Sequence, residues 1–478
     1  MKRAHRGRRV LIAVTATALL LAASLNALVQ HRIALARAGK ADIGEPTPIE
    51  KVAGVDDENG SGGSDDADDE TSAGSPTRFE VTADYTSIVA EDGAVAHSTF
   101  TWDDGWFFQD STAYNAELAR ACAVFSSVAN CESSHYQQGS NVPAYMEQLL
   151  AKLGFENVST ASYRYRSEII DQVANVFTPG GTDTTAYAIA SKHVTDAATG
   201  KKKLLVLVAI RGSYGTEWLS NLRFGISRDI VEGFGATGGD HEGFSNAALD
   251  ITHAVYKFID AVMDEEAGET LDDVSLLFCG HSRGGATANI CASYLDKIAD
   301  ELAEVEKGNP DLARAGAVVT AQNIYCYTFA TPGVTDSGDC KASAYGNIFN
   351  VLNPADIVPR MPLASWGYER YGHDLWLPES GMDGFDATWE QVRAAFAANI
   401  GCETKANPTD VADIDQIVAD LESIAPTADD FNSPITVAKA LGALVMDHDV
   451  VRIVNGHAPD LYDAWLSVVD PSQLRATR

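Results

Sequence analysis

The residues with the clearest capacity for chemistry form one short stretch, Gly280-His281-Ser282-Arg283-Gly284. An apolar run from Val274 to Cys279 precedes it, and Gly285-Ala286-Thr287-Ala288 opens a small-residue helix after it. Strand, sharp turn and helix form the setting of a G-x-S-x-G nucleophile elbow. The turn is tight, so a side chain two positions either side of Ser282 would collide with the neighbouring strand or helix. Glycine at 280 and 284 removes that collision. Ser282 then stands at the tip of the turn with a helix N-terminus behind it, where developing negative charge is stabilised. A glycine-rich chain also produces this pattern by chance, and the flanking strand and helix are what raise it above chance.

A serine hydroxyl needs a base to take its proton, and the base needs a carboxylate to orient it. With an elbow of this kind the chain order is serine, acid, histidine. Downstream, Asn347 to Leu352 reads as a strand, and Asp356 follows it in a loop stiffened by Pro354 and Pro359. Catalytic groups gather at that edge of open α/β sheets. An aspartate near proline is equally at home as a simple turn former. Three histidines follow Asp356: His373, His448 and His457. His373 lies in an aromatic stretch, and His448 follows an apolar helix end. His457 lies in a loop, Asn455-Gly456-His457-Ala458-Pro459, that enters a helix carrying Tyr462 and Trp465. The residues alone favour His457 only slightly. For the oxyanion, the backbone N–H of Arg283 is one donor. The other is expected from Arg211-Gly212-Ser213, which leaves the apolar run Leu204–Ile210.

These groups must be carried by a scaffold. From about Arg78 the pattern alternates strand and helix. Helical spacing covers Tyr114–Asn130, Pro143–Leu153 and Phe244–Met263. Thr185–Val194 alternates like a strand, Asp196–Gly200 makes a turn, and Leu204–Ile210 is continuous enough to be buried on both faces. The two segments are expected to pair as a hairpin. The helix after the elbow runs to about Ala299, and strands follow at Ile324–Phe329 and Asn347–Leu352. Residues 383 to 447 read as mainly helical, with periodic segments at Trp389–Ile400 and Val411–Ile424. The expectation is an α/β fold with a mostly parallel centre and an antiparallel edge.

The first residues stand apart from this scaffold. Lys2, Arg3, Arg6, Arg8 and Arg9 precede an uncharged apolar run from Val10 to Val29. A run of this length, about 20 residues, spans a bilayer or serves as an export signal. Ala34-Leu35-Ala36 offers a cleavage site, and Arg8-Arg9 faintly suggests a twin-arginine signal. Either way the rest of the chain is expected outside the cytoplasm. Residues 1–36 are therefore read as signal peptide or membrane anchor, 37–77 as an acidic linker too poor in apolar residues to order itself, and 78–478 as one catalytic domain. Residues 1–40 contribute eight Lys or Arg and no acid to the net charge of −32, so the remainder carries −40. A surface this acidic argues against nucleic acid as a partner and against adhesion to anionic lipid. Of seven cysteines, Cys279, Cys291 and Cys326 read as buried apolar residues. Cys122, Cys131, Cys340 and Cys402 are candidates for disulfides after export. No metal-ligand spacing stands out, and the chemistry read here calls for no cofactor.

The motifs together resemble the class 3 lipases, the fungal-type triacylglycerol lipase family of α/β-hydrolases. Arg211-Gly-Ser213 with Trp218-Leu-Ser-Asn-Leu222 is similar to the family's R-G-[ST] and W-x-x-N-[LF]. His241-Glu-Gly-Phe244 with Ala247, Gly280-His-Ser-Arg-Gly-Gly285, Thr328-Phe-Ala-Thr-Pro332 and Asn353-Pro-Ala-Asp356-Ile-Val-Pro359 resemble, in order, H-x-G-F-x-x-A, G-H-S-x-G-G, T-F-[AG]-x-P and the N-x-x-D-x-V-P acid loop. The likeness covers residues 185 to 376. It implies an α/β-hydrolase fold with Ser282 as nucleophile, Asp356 as acid, and Ser213 and Arg283 as oxyanion donors. It also places the base late, at His457, and makes the surroundings of His373 structural. Two features differ from the family: 383–447 lengthens the gap before His457, and Arg283 replaces the commoner leucine. The implied activity is hydrolysis of a lipid or other carboxylic ester, with acylglycerol, phospholipid and soluble ester all open. An acyltransferase with the same site and an inactive surface protein are the alternatives. A lid is expected either at 214–225, where Trp218, Leu219, Leu222 and Phe224 give an apolar face, or at 383–447.

Overall fold

The computed structural model describes residues 77–90, 94–137, 144–160, 162–163, 185–212, 240, 242–265, 273–308, 321–427, 430, 436, 439 and 455–478. The apolar run at 10–29, the acidic linker, Ser213, the segment 214–225 and His448 lie outside the described residues.

A seven-stranded sheet organises the molecule, with strands in sequence order from β3 to β9. β3 (Glu156–Ser159), β4 (Tyr187–Thr195) and β5 (Lys202–Ile210) are antiparallel. From β5 onward β6 (Asp273–His281), β7 (Ile324–Phe329), β8 (Ile348–Leu352) and β9 (His373–Trp376) run parallel. This is the expected α/β arrangement of a parallel centre and an antiparallel edge. The expected hairpin of β4 and β5 forms in one unbroken register from Tyr187 opposite Ile210 to Thr195 opposite Lys202. Its turn closes with the Gly200 amide donating to the Asp196 carbonyl.

Why β5 reads as an uninterrupted apolar run is plain from its two faces. Leu205, Leu207 and Ala209 join one core, and Leu204, Val206, Val208 and Ile210 join the other. Side chains alternate across a strand, so a strand covered on both sides needs apolar residues at every position. The second core is roofed by α3 (Glu242–Glu265) and α4 (Arg283–Gly308). Phe244, Ala248, Ile251, Val255, Phe258, Ile259 and Val262 face it at helical spacing. The first core is covered by α1 (Ala116–Gln137) and α2 (Tyr145–Lys152). It also receives a two-stranded hairpin of β1 (Arg78–Thr86) and β2 (Val95–Asp103). The hairpin buries Val81, Ala83, Tyr85, Ala96, Phe100 and Trp102 on alternate positions.

Two helices occupy the segment expected to be helical before the late histidine: α5 (Phe385–Ile400) and α6 (Asp410–Ile424). α6 packs Ile414, Ile417 and Leu421 against Ile357, Met361 and Leu363 of the loop that carries Asp356. The last helix, α7 (Pro459–Leu466), is buried along its length.

The cysteine pattern differs from the expectation. Cys122, Cys340 and Cys402 are free thiols. Cys122 is fully buried on α1, and its hydrogen bond is to the Cys279 thiol. Burial, with that bond, pushes the pKa of its thiol well above the ordinary value, so it stays protonated and is an inert core residue. Helix α1 lies on the sheet with the Cys122 face inward, which turns that thiol away from the surface.

Candidate active site

Ser282 follows β6 with φ +58°. That left-handed conformation is uncommon for a residue with a side chain and marks a locally strained turn. It is held from both sides: the Ser282 amide donates to Phe329 O at 2.8 Å, and the Ala286 amide donates to Ser282 O at 2.9 Å. A Cβ on Gly280 would run into the Gly284 backbone, and one on Gly284 into the carbonyl of Ile210. Both glycines therefore do what the sequence pattern requires of them. The backbone of the turn fixes the serine, and α4 begins at Arg283 immediately behind it.

Asp356 is fully buried in the loop after β8. Asn353 builds that loop: its carbonyl accepts from the Asp356 amide at 3.0 Å, and its side chain accepts from the Ala355 amide at 3.0 Å. The same Asn353 side chain donates to Gly456 O at 2.9 Å and so ties the acid loop to the segment bearing His457. A Cβ on Gly456 would overlap Ala355 O, which shows how closely the two segments approach.

The three side chains meet. His457 Nε2 lies 2.9 Å from Ser282 Oγ, and His457 Nδ1 lies 2.8 Å from Asp356 Oδ2. With Asp356 ionised, its carboxylate only accepts, so Nδ1 carries the proton and Nε2 is left to accept from the serine hydroxyl. Asp356 receives two further donors. Tyr462 O–H donates to Oδ2 at 2.8 Å, and the Val358 amide donates to Oδ1 at 2.9 Å. Burial, with the Asp356 charge beside it, holds the pKa of the Tyr462 hydroxyl well above its ordinary value, so it keeps its proton and stays a donor. Its oxygen also accepts from the Asn353 amide at 3.1 Å.

His281 packs against the base, ring centroids 4.6 Å apart. Burial, and then the neighbouring His457, depress its pKa well below 6.5, so it stays neutral beside the His457 ring. Helix α7, which begins two residues after His457, is anchored by two buried carboxylates. Asp460 accepts from Tyr85 O–H at 2.7 Å and Ser87 O–H at 2.8 Å. Asp463 accepts from Ser98 O–H at 2.7 Å and Arg120 Nε at 3.4 Å. The N-terminal hairpin thus grips the helix that presents the base. On the acid side, Arg370 Nη1 donates to Pro359 O at 2.8 Å and Thr331 O at 3.1 Å, while its other nitrogens hold Asp374.

Of the other sequence candidates, His373 opens β9, exposed, with its ring stacked on Phe349 at 5.6 Å, away from Ser282. Arg283 is buried at the start of α4, directly after Ser282. Ser213 is outside the described residues; the strand end leading to it, Arg211 and Gly212, lies against the elbow. The supporting role of Tyr462 carried no readable motif of its own, whereas Asn353 and His281 stand inside the acid-loop and elbow motifs.

Residues 207–366 match the family model of lipase (class 3). Over this stretch the chain is similar to the class 3 lipases. The chain is 27% identical to the secreted mono- and diacylglycerol lipase 1 of Fusarium solani over 212 residues, 43% of this chain and 54% of that one. It is 25% identical to a lipase of Rhizomucor miehei over 206 residues, 42% of this chain and 50% of that one. The chain therefore spans about half the length of the curated relatives it matches. A solved structure described as a triacylglycerol lipase whose catalytic centre is a serine protease triad covers 56% of this chain and 82% of its own, at 17% identity and a TM-score of 0.35. The matched stretch holds Ser282 and Asp356. His457, α1 and the hairpin of β1 and β2 lie beyond it.

Proposed function

We propose that this chain is an exported serine carboxylic-ester hydrolase acting on lipid esters through Ser282, His457 and Asp356. The observation that carries this reading is the continuous hydrogen-bonded line from Asp356 through His457 to Ser282. It joins three loops that are far apart in sequence, at one edge of the sheet. Acylglycerols are the first substrate candidates, because the Fusarium solani relative is named for mono- and diacylglycerols.

The chemistry follows from the geometry. Ser282 Oγ attacks the ester carbonyl carbon as its proton passes to His457 Nε2. Asp356 keeps the ring in the tautomer that accepts there and stabilises the imidazolium that forms. The negative charge on the former carbonyl oxygen is met by the Arg283 N–H at the head of α4, with Ser213 supplying the second donor. Collapse of the tetrahedral adduct breaks the bond to the alcohol oxygen, which leaves with the proton from His457. Water then gives a proton to His457, attacks the acyl-enzyme and releases the acid, and the proton returns to Ser282. The tether of Asp356 by Tyr462 and Val358 keeps the relay aligned through both half-reactions.

Residues 1–36 would direct export, as signal or anchor, and 37–77 would form the spacer to the domain at 78–478. The secreted character of the Fusarium solani relative supports export. Within the domain, 383–447 braces the acid loop through α6.

A fluorophosphonate probe tests the reading. Wild-type protein should be labelled and should hydrolyse short-chain esters, and Ser282→Ala should do neither while melting at an unchanged temperature. Correctly folded wild type that is not labelled would favour the inactive surface protein. Ester formation in place of acid release when an alcohol competes with water would favour the acyltransferase.

A further inference from the structure

Asn130 sits in the middle of α1, 4% exposed. Asparagine is a poor choice in a helix interior, because its side chain competes for backbone hydrogen bonds and it costs roughly 0.7 kcal/mol against alanine. Something other than helix formation keeps it there. Its two polar atoms are both committed. Nδ2 donates to Ser126 O at 3.0 Å, one turn back on the same helix, and Oδ1 accepts from the Gly212 amide at 2.9 Å. A carbonyl can only accept and an amide N–H can only donate, so the carboxamide has one possible orientation. The bond to Gly212 is therefore directed and not a chance contact.

Gly212 is the residue through which the end of β5 touches the nucleophile. A Cβ built on it would meet His281 O at 2.6 Å, Asn130 Oδ1 at 3.0 Å and Ser282 Cβ at 3.4 Å. Only a glycine fits this gap, with the serine on one side and the asparagine on the other. The neighbouring Arg211 amide is held separately, donating to Ala186 O at 3.0 Å on the adjacent strand. Once the strand ladder ends, the bond that fixes the Gly212 peptide is the one from Asn130.

We propose that Asn130 is a positioning residue for ester cleavage: by pinning the Gly212 peptide it sets where the strand end rests against Ser282. The inference rests on the hydrolase reading of Ser282. It assigns a role to α1, which lies outside the stretch matched to the class 3 lipases. Loss of the acceptor frees Gly212 to shift, and the serine and the chain leaving β5 lose their common reference. Misplacement on the scale of about 1 Å costs up to about a hundredfold in rate. The loss falls on kcat, since Asn130 is buried with both polar atoms bonded to protein.

Three variants of the full chain test this. Asn130→Ala removes the acceptor and Asn130→Leu removes it while keeping the volume. Both should lower kcat by about tenfold to a hundredfold with KM within about threefold of wild type. Asn130→Asp adds a readout that packing alone would not move. A protonated carboxyl can donate to Ser126 O and accept from Gly212 as the amide does. The ionised form repels Ser126 O and places charge beside the developing oxyanion. The ratio of Asn130→Asp to wild-type kcat should therefore be near one in mild acid and fall as pH rises. If Asn130→Ala fails to fold, this ratio still decides. Alanine and leucine variants with wild-type kcat, or an aspartate ratio that does not change with pH, would overturn the inference while leaving the hydrolase reading standing. A wild type without Ser282-dependent turnover would remove both.

Discussion

Ser282 and His457, the proposed nucleophile and base, reach the same point by opposite means. Ser282 is held by main chain: a left-handed turn, two amide bonds and glycines that let the strand end and the helix close in. His457 is held by side chains drawn from most of the polypeptide. Asp356 and Tyr462 fix its tautomer and plane, Asn353 ties its loop, and His281 backs its ring. Tyr85, Ser87 and Ser98 anchor the helix behind it. A backbone-built position is compact and depends on a few local residues. A side-chain-built position can be moved by changes far from the reaction.

The contrast predicts where substitutions hurt. Tyr462→Phe deletes one of the donors to the Asp356 carboxylate and leaves the Asn353 amide without its acceptor. A hydrogen bond to a charged group is worth about 1.5–3 kcal/mol. The expected result is kcat lower by about tenfold to a hundredfold, with little change in KM, measured on a soluble ester. An unchanged kcat would mean that Tyr462 packs against the base without steering the acid.

A smaller effect is expected in stability. His281 stays neutral in the fold because burial depresses its pKa below the unfolded value of 6.5. Below that value the unfolded chain binds a proton that the folded chain does not, so stability is lost as pH falls. The slope approaches about 1.4 kcal/mol per pH unit for one such group. His281→Gln should flatten this acid limb in urea titrations between about pH 6.5 and 5. Parallel curves for the two proteins would show that the ring protonates freely in the fold.

The two modes also explain what could be read in advance. The elbow is written in glycine positions, because glycine identity reports backbone geometry directly. The two-faced burial of β5 is written in its unbroken apolar run. The acid follows from a strand end and two prolines. The base does not: three histidines follow Asp356, and composition cannot say which loop folds back to it. The contacts that decide, such as Tyr85 with Asp460 across 375 residues, leave no local pattern. The hairpin of β1 and β2 went unread for the same reason. Its alternation is regular, but it packs on α1 and α2 and reaches the last helix through Tyr85, Ser87 and Ser98. Asn130 looks like an ordinary polar residue in a helix until Gly212 is placed beside it.

The central claim is that His457 activates Ser282. The most direct measurement is the rate at which a fluorophosphonate modifies Ser282 in wild type and in His457→Ala, with the adduct mapped by mass spectrometry. The account predicts modification at Ser282 in the wild type and a drop in rate of several orders of magnitude, up to about a millionfold as for turnover, in the variant. Comparable rates in the two folded proteins, or an adduct on another residue, would contradict it.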